Sequence, residues 1–182
     1  MRKWTVRLMS DEMLMKAYAK GDSLAFEYLY QRNKSALFLF LRRQCENEAI
    51  CEELAHDAWL AVIRQAENYA TSAKFKTWLF RIAHNRLVDH WRKHGGSSKV
   101  LFEEIGDSVG ATTDSVSQGI ELQQLLENLA ELSAEQTEAL LLKIEGFSHA
   151  EIADITDCKK ETVKSRLRYA TQRLRVSMEA AS

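Results

Sequence analysis

Proline is absent from all 182 residues, and no apolar run approaches the roughly 20 residues that a membrane-crossing helix requires. The first absence removes the strongest helix breaker. The second excludes a helical bilayer span and predicts a protein without membrane insertion. The opening residues 1–14 contain no signal-peptide hydrophobic stretch, so a cytoplasmic location is expected. Cysteine is scarce: Cys45, Cys51 and Cys158 make neither an even disulfide framework nor a CxxC pair, and they read as buried or half-exposed thiols in a reducing compartment. A phosphate-binding loop, a nucleophile elbow and an HExxH motif are all missing. His90 and His94 share a helix face, but no third or fourth metal ligand lies near them in sequence. The sequence therefore calls for no cofactor and no metal, and an enzyme reading has no chemistry to stand on.

The chain does have a hydrophobic fraction of 46% with Leu, Ile, Val and aromatics at helical spacing, and no sustained strand-type alternation. An all-α fold follows, with helices expected over residues 11–20, 23–44, 48–66 and 75–94 in the first half. Residues 95–119 turn to Gly, Ser and Thr and read as a flexible linker. Beyond it, helices are expected over 120–130, 133–145 and 148–156, with a last one from 159 to near 178; Ser133 and Ser148 serve as N-caps. The organisation is thus two small helical domains, 8–94 and 120–178, joined by a tether.

The net charge of −1 argues weakly against nucleic acid, but its distribution reverses the sign of that argument. Between Arg64 and Lys93, seven Lys and Arg residues face only Glu67 and Asp89. The last helix is basic again, with Lys159, Lys160, Lys164, Arg166, Arg168, Arg173 and Arg175. Between these segments the acids dominate, from Glu103 through Glu127 and Glu131 to Glu138, opposed only by Lys99. Two cationic surfaces joined by an anionic tether suit two grips on one polyanion.

The stretch from His149 to Arg175 has helix-turn-helix spacing. Ile152, Ala153, Ile155, Val163 and Leu167 are its expected core, and Thr156-Asp157-Cys158 its turn, with Asp157 taking the left-handed backbone that a Gly often supplies. Lys160, Thr162, Lys164, Ser165, Arg168 and Tyr169 then face a major groove. Arg168 is suited to a guanine edge, and the lysines to phosphates.

This segment resembles region 4 of the extracytoplasmic-function sigma factors, through its EIA, TVKSRL and following Ala and Leu positions. Independently, EELAHDAWLAVI at 52–63 and FKTWLFRIAHNRLVDHWRK at 75–93 resemble their region 2. The resemblance implies a specificity subunit that binds core RNA polymerase, recognises promoter DNA both as duplex and as melted non-template strand, and can be held by an anti-sigma factor. It places Glu53, His56 and Asp57 on the polymerase-docking helix, with His56 where the family usually has an amide. It places the minus-ten contacts on Asn68, Tyr69 and Lys74 of the loop before the 75–94 helix, and on Asn85, Arg86, Asp89, His90, Arg92 and Lys93 of that helix. The minus-thirty-five contacts fall on the six outward residues of the last helix. Phe75, Trp78 and Phe80 are core, stacking surface, or some of each; the stripe shared by Phe75, Trp78 and Ile82 assigns those three mainly to core.

The tether adds a geometric expectation. Promoter elements about 25 base pairs apart are separated by on the order of 85 Å, which a linker of roughly 24 residues reaches only when extended. A basic polymerase channel, with the acidic tether imitating RNA, would supply that extension. A stand-alone helix-turn-helix repressor is the nearest rival and leaves the first domain unexplained.

Overall fold

The structure, a computed structural model, describes residues 6–45, 47–70, 73–94 and 132–180. The expected linker at 95–119 and helix at 120–130 lie outside the described residues. Within them the chain is all helical: α1 (Asp11–Ala19), α2 (Ser23–Arg42), α3 (Glu48–Arg64), a 3-10 turn at Ala66–Asn68, α4 (Phe75–His94), α5 (Ala134–Ile144), α6 (His149–Ile155) and α7 (Lys160–Ala180).

Five of the helix starts are written in local chemistry. Ser10, Asp22 and Asn47 accept backbone N–H groups in the first turns of α1, α2 and α3. Ser133 and Ser148 do so for α5 and α6, and each completes a capping box in which Gln136 or Glu151 reaches back to the serine N–H. The ends of α1, α5 and α6 repeat one device. Asp22 N–H donates to Ala17 O, Phe147 N–H to Leu142 O, and Cys158 N–H to Ala153 O, each closing a Schellman motif. The left-handed residue between is Gly21 at φ 95°, Gly146 at φ 91° and Asp157 at φ 48°. Asp157 thus adopts the backbone that its sequence position demanded, without the freedom of glycine.

α1 to α4 pack around Leu14, Met15, Leu29, Leu37, Phe40, Phe75, Leu79 and Leu87, all buried. α5 to α7 enclose Leu142, Ile152, Ile155, Val163 and Ala170. Almost nothing of these side chains remains in contact with water, and each of the larger ones, from Val163 to the phenylalanines, contributes about 1.5–3 kcal/mol of transfer free energy. The two sets also touch. α6 lies along α4, and Phe80 meets Phe147 edge-on with ring centroids 5.0 Å apart.

Candidate nucleic-acid and polymerase interfaces

α3 presents Glu53, His56 and Asp57 to solvent, while Cys51, Leu54, Ala58 and Val62 turn inward. Beside them, α2 and α3 leave a groove of about 600 Å³ lined by Tyr30, Lys34, Phe38, Leu39, His56 and Trp59, among others. Tyr30 and Trp59 stand edge to face at 5.0 Å, and Leu39 is exposed. An apolar trough with acids on its rim is a surface suited to a partner helix.

The loop before α4 holds the next group. Asn68 is exposed at the end of the 3-10 turn, whereas Tyr69 is half-buried. Its hydroxyl donates to Ala73 O at 2.9 Å, and its ring packs on Trp78 at 5.1 Å and on Phe75 at 6.1 Å. Burial, reinforced by the nearby acids Glu12 and Asp11, pushes the Tyr69 hydroxyl up to about 12, so it remains a proton donor throughout the neutral range. The start of α4 is fixed from a distance: the Phe75 N–H donates to Glu12 Oε1 at 3.0 Å, from α1. Burial would raise the Glu12 carboxyl, but the hydrogen bonds it accepts prevail and hold it below its ordinary value.

Along α4, Asn85, Arg86 and Asp89 line a second groove of about 420 Å³. Arg81, Trp78, Ile82, Ala61 and Gln65 complete it. Asp89 pairs with Arg92 at 3.2 Å, Lys93 is exposed, and His90 is half-buried. Arg81 was not among the expected contact residues, although the Arg81, Asn85, Asp89 spacing of four already placed it on this face. Phe75 is fully buried, as are Leu79, Phe80, Ala83 and Leu87, while Trp78 and Ile82 pack against this core half-buried and also form groove wall.

The helix-turn-helix keeps its expected division. Ile152, Ile155, Val163 and Leu167 are buried, Ala153 is half-buried, and Lys160, Thr162, Lys164, Ser165, Arg168 and Tyr169 are all exposed. Lys164 pairs with Glu161 at 3.0 Å, and the Arg168 guanidinium lies 5.7 Å from the centre of the Tyr169 ring. Arg166 turns the other way: it is half-buried and donates to Cys158 Sγ at 3.7 Å, tying α7 to the turn.

Two charged residues behave differently from their place in the sequence pattern. Glu138, read there with the acids of the tether, is buried in α5, and its carboxylate lies 2.6 Å from His84 Nδ1 of α4. Lys74, read as a loop cation facing DNA, lies 2.9 Å from Glu151 of α6.

Comparison with known proteins agrees with this architecture. Sigma-70 region 2 matches residues 29–96, and Sigma-70 region 4 matches residues 122–174. The RNA polymerase sigma factor SigK of Mycobacterium sp. (strain KMS), an extracytoplasmic-function protein, is 28% identical over 163 residues, covering 86% of this chain and 84% of the relative. SigM of Mycobacterium tuberculosis is 29% identical, covering 91% and 83%. NccH of Alcaligenes xylosoxydans xylosoxydans is 27% identical, covering 94% and 96%. Among solved structures, CnrH in complex with the cytosolic domain of CnrY shares the fold, with a TM-score of 0.68 at 24% identity over 94% of this chain and 99% of that one. The sigma factor RpoE, in complex with the anti-sigma factor NepR from Bartonella quintana, gives 0.65 at 26% identity over 85% and 96%.

Region 2 followed by region 4, with exposed basic helix faces on each, defines a promoter-specificity subunit of bacterial RNA polymerase. Within that class the chain belongs to the extracytoplasmic-function sigma factors, alternative subunits that direct promoter-specific initiation. No described helix is long and apolar enough to cross a membrane.

Proposed function

We propose that the chain divides its task between 8–94 and 120–178, with no catalytic role of its own, in the cytoplasm. Glu53, His56 and Asp57, beside the Tyr30 and Trp59 trough, dock on core polymerase. Asn68, Tyr69 and Lys74, with the α4 face from Asn85 to Lys93, take the minus-ten element and hold a base once it leaves the stack. The outward residues of α7 take the minus-thirty-five duplex. An anti-sigma factor, as in the complex of RpoE with NepR, is the expected regulator. The observation that carries this reading is the clean sorting of α7: its six proposed DNA contacts are exposed while Val163, Leu167 and Ala170 are buried on the opposite side.

The test begins with purified core polymerase. Wild-type protein should program it to initiate on a cognate promoter, and Glu53→Arg with Asp57→Arg should weaken core binding while leaving the circular dichroism unchanged. Wild-type affinity in that double variant would move the docking site elsewhere.

A further inference from the structure

Two of the three cysteines share one joint of the fold. Cys45 sits in the turn between α2 and α3, and Cys51 in the first turn of α3. Both are free and buried, at 3% and 0% exposure, whereas Cys158 is half-exposed in the helix-turn-helix. Cys51 Sγ lies 3.2 Å from Asn47 O and 3.9 Å from Leu41 O, carbonyls on either side of Cys45 in the chain, and the Cys45 thiol hydrogen-bonds to it. The contact makes the two sulfurs unequal. The hydrogen bond from Cys45 holds the Cys51 thiol below its ordinary value, against burial and with the Arg42 guanidinium assisting. Cys45 moves the other way, pushed up by the same bond and by burial. One sulfur is thus prepared as a thiolate while its neighbour keeps the proton.

Thiols buried in apolar surroundings are inert because their thiolates are disfavoured. This pair escapes that rule, since a thiol donor and Arg42 stabilise charge on Cys51. Access needs only local opening: the site lies at a helix end and its connecting turn, where opening costs least.

We propose that Cys45 and Cys51 are a redox dithiol that a hydroperoxide converts to an intramolecular disulfide, and that the oxidised subunit docks less tightly on core polymerase. The second half rests on the docking role proposed above. The Cys51 thiolate attacks one peroxide oxygen and breaks the O–O bond, which forms Cys51 sulfenic acid and releases hydroxide, or alkoxide from an organic peroxide. The Cys45 sulfur then bonds to that of Cys51, and the displaced hydroxyl leaves with the Cys45 proton as water. The two sulfurs lose two electrons and the peroxide gains them. Two equivalents of a small thiol reverse the oxidation, which keeps the pair reduced in a reducing compartment.

The consequence for docking is geometric. A disulfide holds its sulfurs about 2.05 Å apart, well inside the separation of two hydrogen-bonded thiols, so the joint and the first turn of α3 must shift to make the bond. α2 and α3 wall the trough of Tyr30, Phe38, Leu39 and Trp59, and Glu53 follows Cys51 by two residues. Close packing passes a shift at the joint to that surface.

The test treats the full reduced chain with hydrogen peroxide. No Lys or Arg lies between Cys45 and Cys51, so trypsin leaves both on the peptide 44–64. That peptide should emerge two hydrogens lighter and resistant to alkylation, and dithiothreitol should restore both thiols. Cys45→Ser should stop at oxygen added to Cys51, and Cys158→Ser should still form the disulfide. With the peroxide removed, oxidised wild type should bind core polymerase on the order of tenfold more weakly than reduced, chiefly through faster dissociation. Cys51→Ser, whose hydroxyl can still donate to Asn47 O, should bind equally with and without peroxide treatment. A 44–64 peptide of unchanged mass, or oxidation confined to Cys158, overturns the dithiol. A disulfide with unaltered core affinity overturns its control of docking. Wild-type affinity in the reduced Glu53→Arg, Asp57→Arg double variant would instead strike the docking assignment, and the disulfide chemistry would stand.

Discussion

Glu151 shows how much one side chain can carry. Its carboxylate accepts the Ser148 N–H at 2.9 Å, closing the cap of α6, and its other oxygen faces Lys74. The Ser148 backbone bond, then the Ser148 hydroxyl and Lys74, hold the carboxyl at about 2 against an ordinary 4.5. A group whose value falls on folding stabilises the native state above its unfolded value, and loses that contribution as pH falls through the folded one. Glu151→Gln keeps an acceptor for the cap but has no charge to titrate. The melting temperature of wild type should therefore exceed that of Glu151→Gln at pH 7, and the gap should close between pH 4.5 and about pH 2. A gap independent of pH would show that the carboxylate charge contributes nothing beyond its shape. The cap itself was legible, because Ser148 and Glu151 stand three apart at a helix start. The Lys74 contact was not, since nothing in a sequence announces partners 77 residues apart. Glu12 on the Phe75 N–H and Glu138 on His84 escaped notice for the same reason.

At the scale of elements, periodicity and punctuation recovered α1 to α7 because most of their boundaries are set by chemistry that acts within a few residues: a side-chain cap before α1, α2, α3, α5 and α6, and a left-handed residue after α1, α5 and α6. Asp157 is the costliest of those boundaries. Gly21 and Gly146 take positive φ freely, whereas Asp157 holds φ 48° with a Cβ attached. Asp157→Gly should raise the stability of the helix-turn-helix by up to about 1 kcal/mol, while Asp157→Val should lower it by about 1–2 kcal/mol, because a β-branched side chain fits this region worst. Urea denaturation of the full chain, followed at α7, measures both. Stabilisation by valine would mean that the turn relaxes out of the left-handed region. The partial exposure of Trp78 and Ile82, which pack against the core as expected but stay half-buried, has a geometric cause. α4 is packed by α3 on one flank and α6 on another, so its apolar surface wraps wider than one stripe. Helical spacing gives that width without saying which edge stays open to form the groove with Arg81 and Asn85.

At the scale of the whole molecule, the two proposed DNA surfaces should act at different steps, because each is expected to meet a different state of the same polymer. The α7 face, with Arg168 beside the Tyr169 ring, suits the edges and phosphates of a closed duplex. The loop at Asn68, Tyr69 and Lys74 suits a base already unstacked, and Tyr69 is braced for that by its bond to Ala73 O and its packing on Trp78. Arg168→Ala should weaken recognition of the upstream duplex element by about 1–3 kcal/mol, or roughly 5- to 150-fold, while strand opening survives on a saturated promoter. Substituting Asn68, Tyr69 and Lys74 together by Ala should leave closed complexes intact and reduce opening, and a pre-melted template should restore much of the activity. Lys74 also pairs with Glu151 of α6, so the variant in which only Asn68 and Tyr69 are replaced leaves that pair intact and should show the same dependence on template melting. Permanganate footprinting and abortive initiation on duplex and pre-opened promoters measure these steps directly. Equal losses on both templates would remove base capture from the loop, and minus-ten recognition would then rest on Asn85, Arg86 and the rest of the α4 groove.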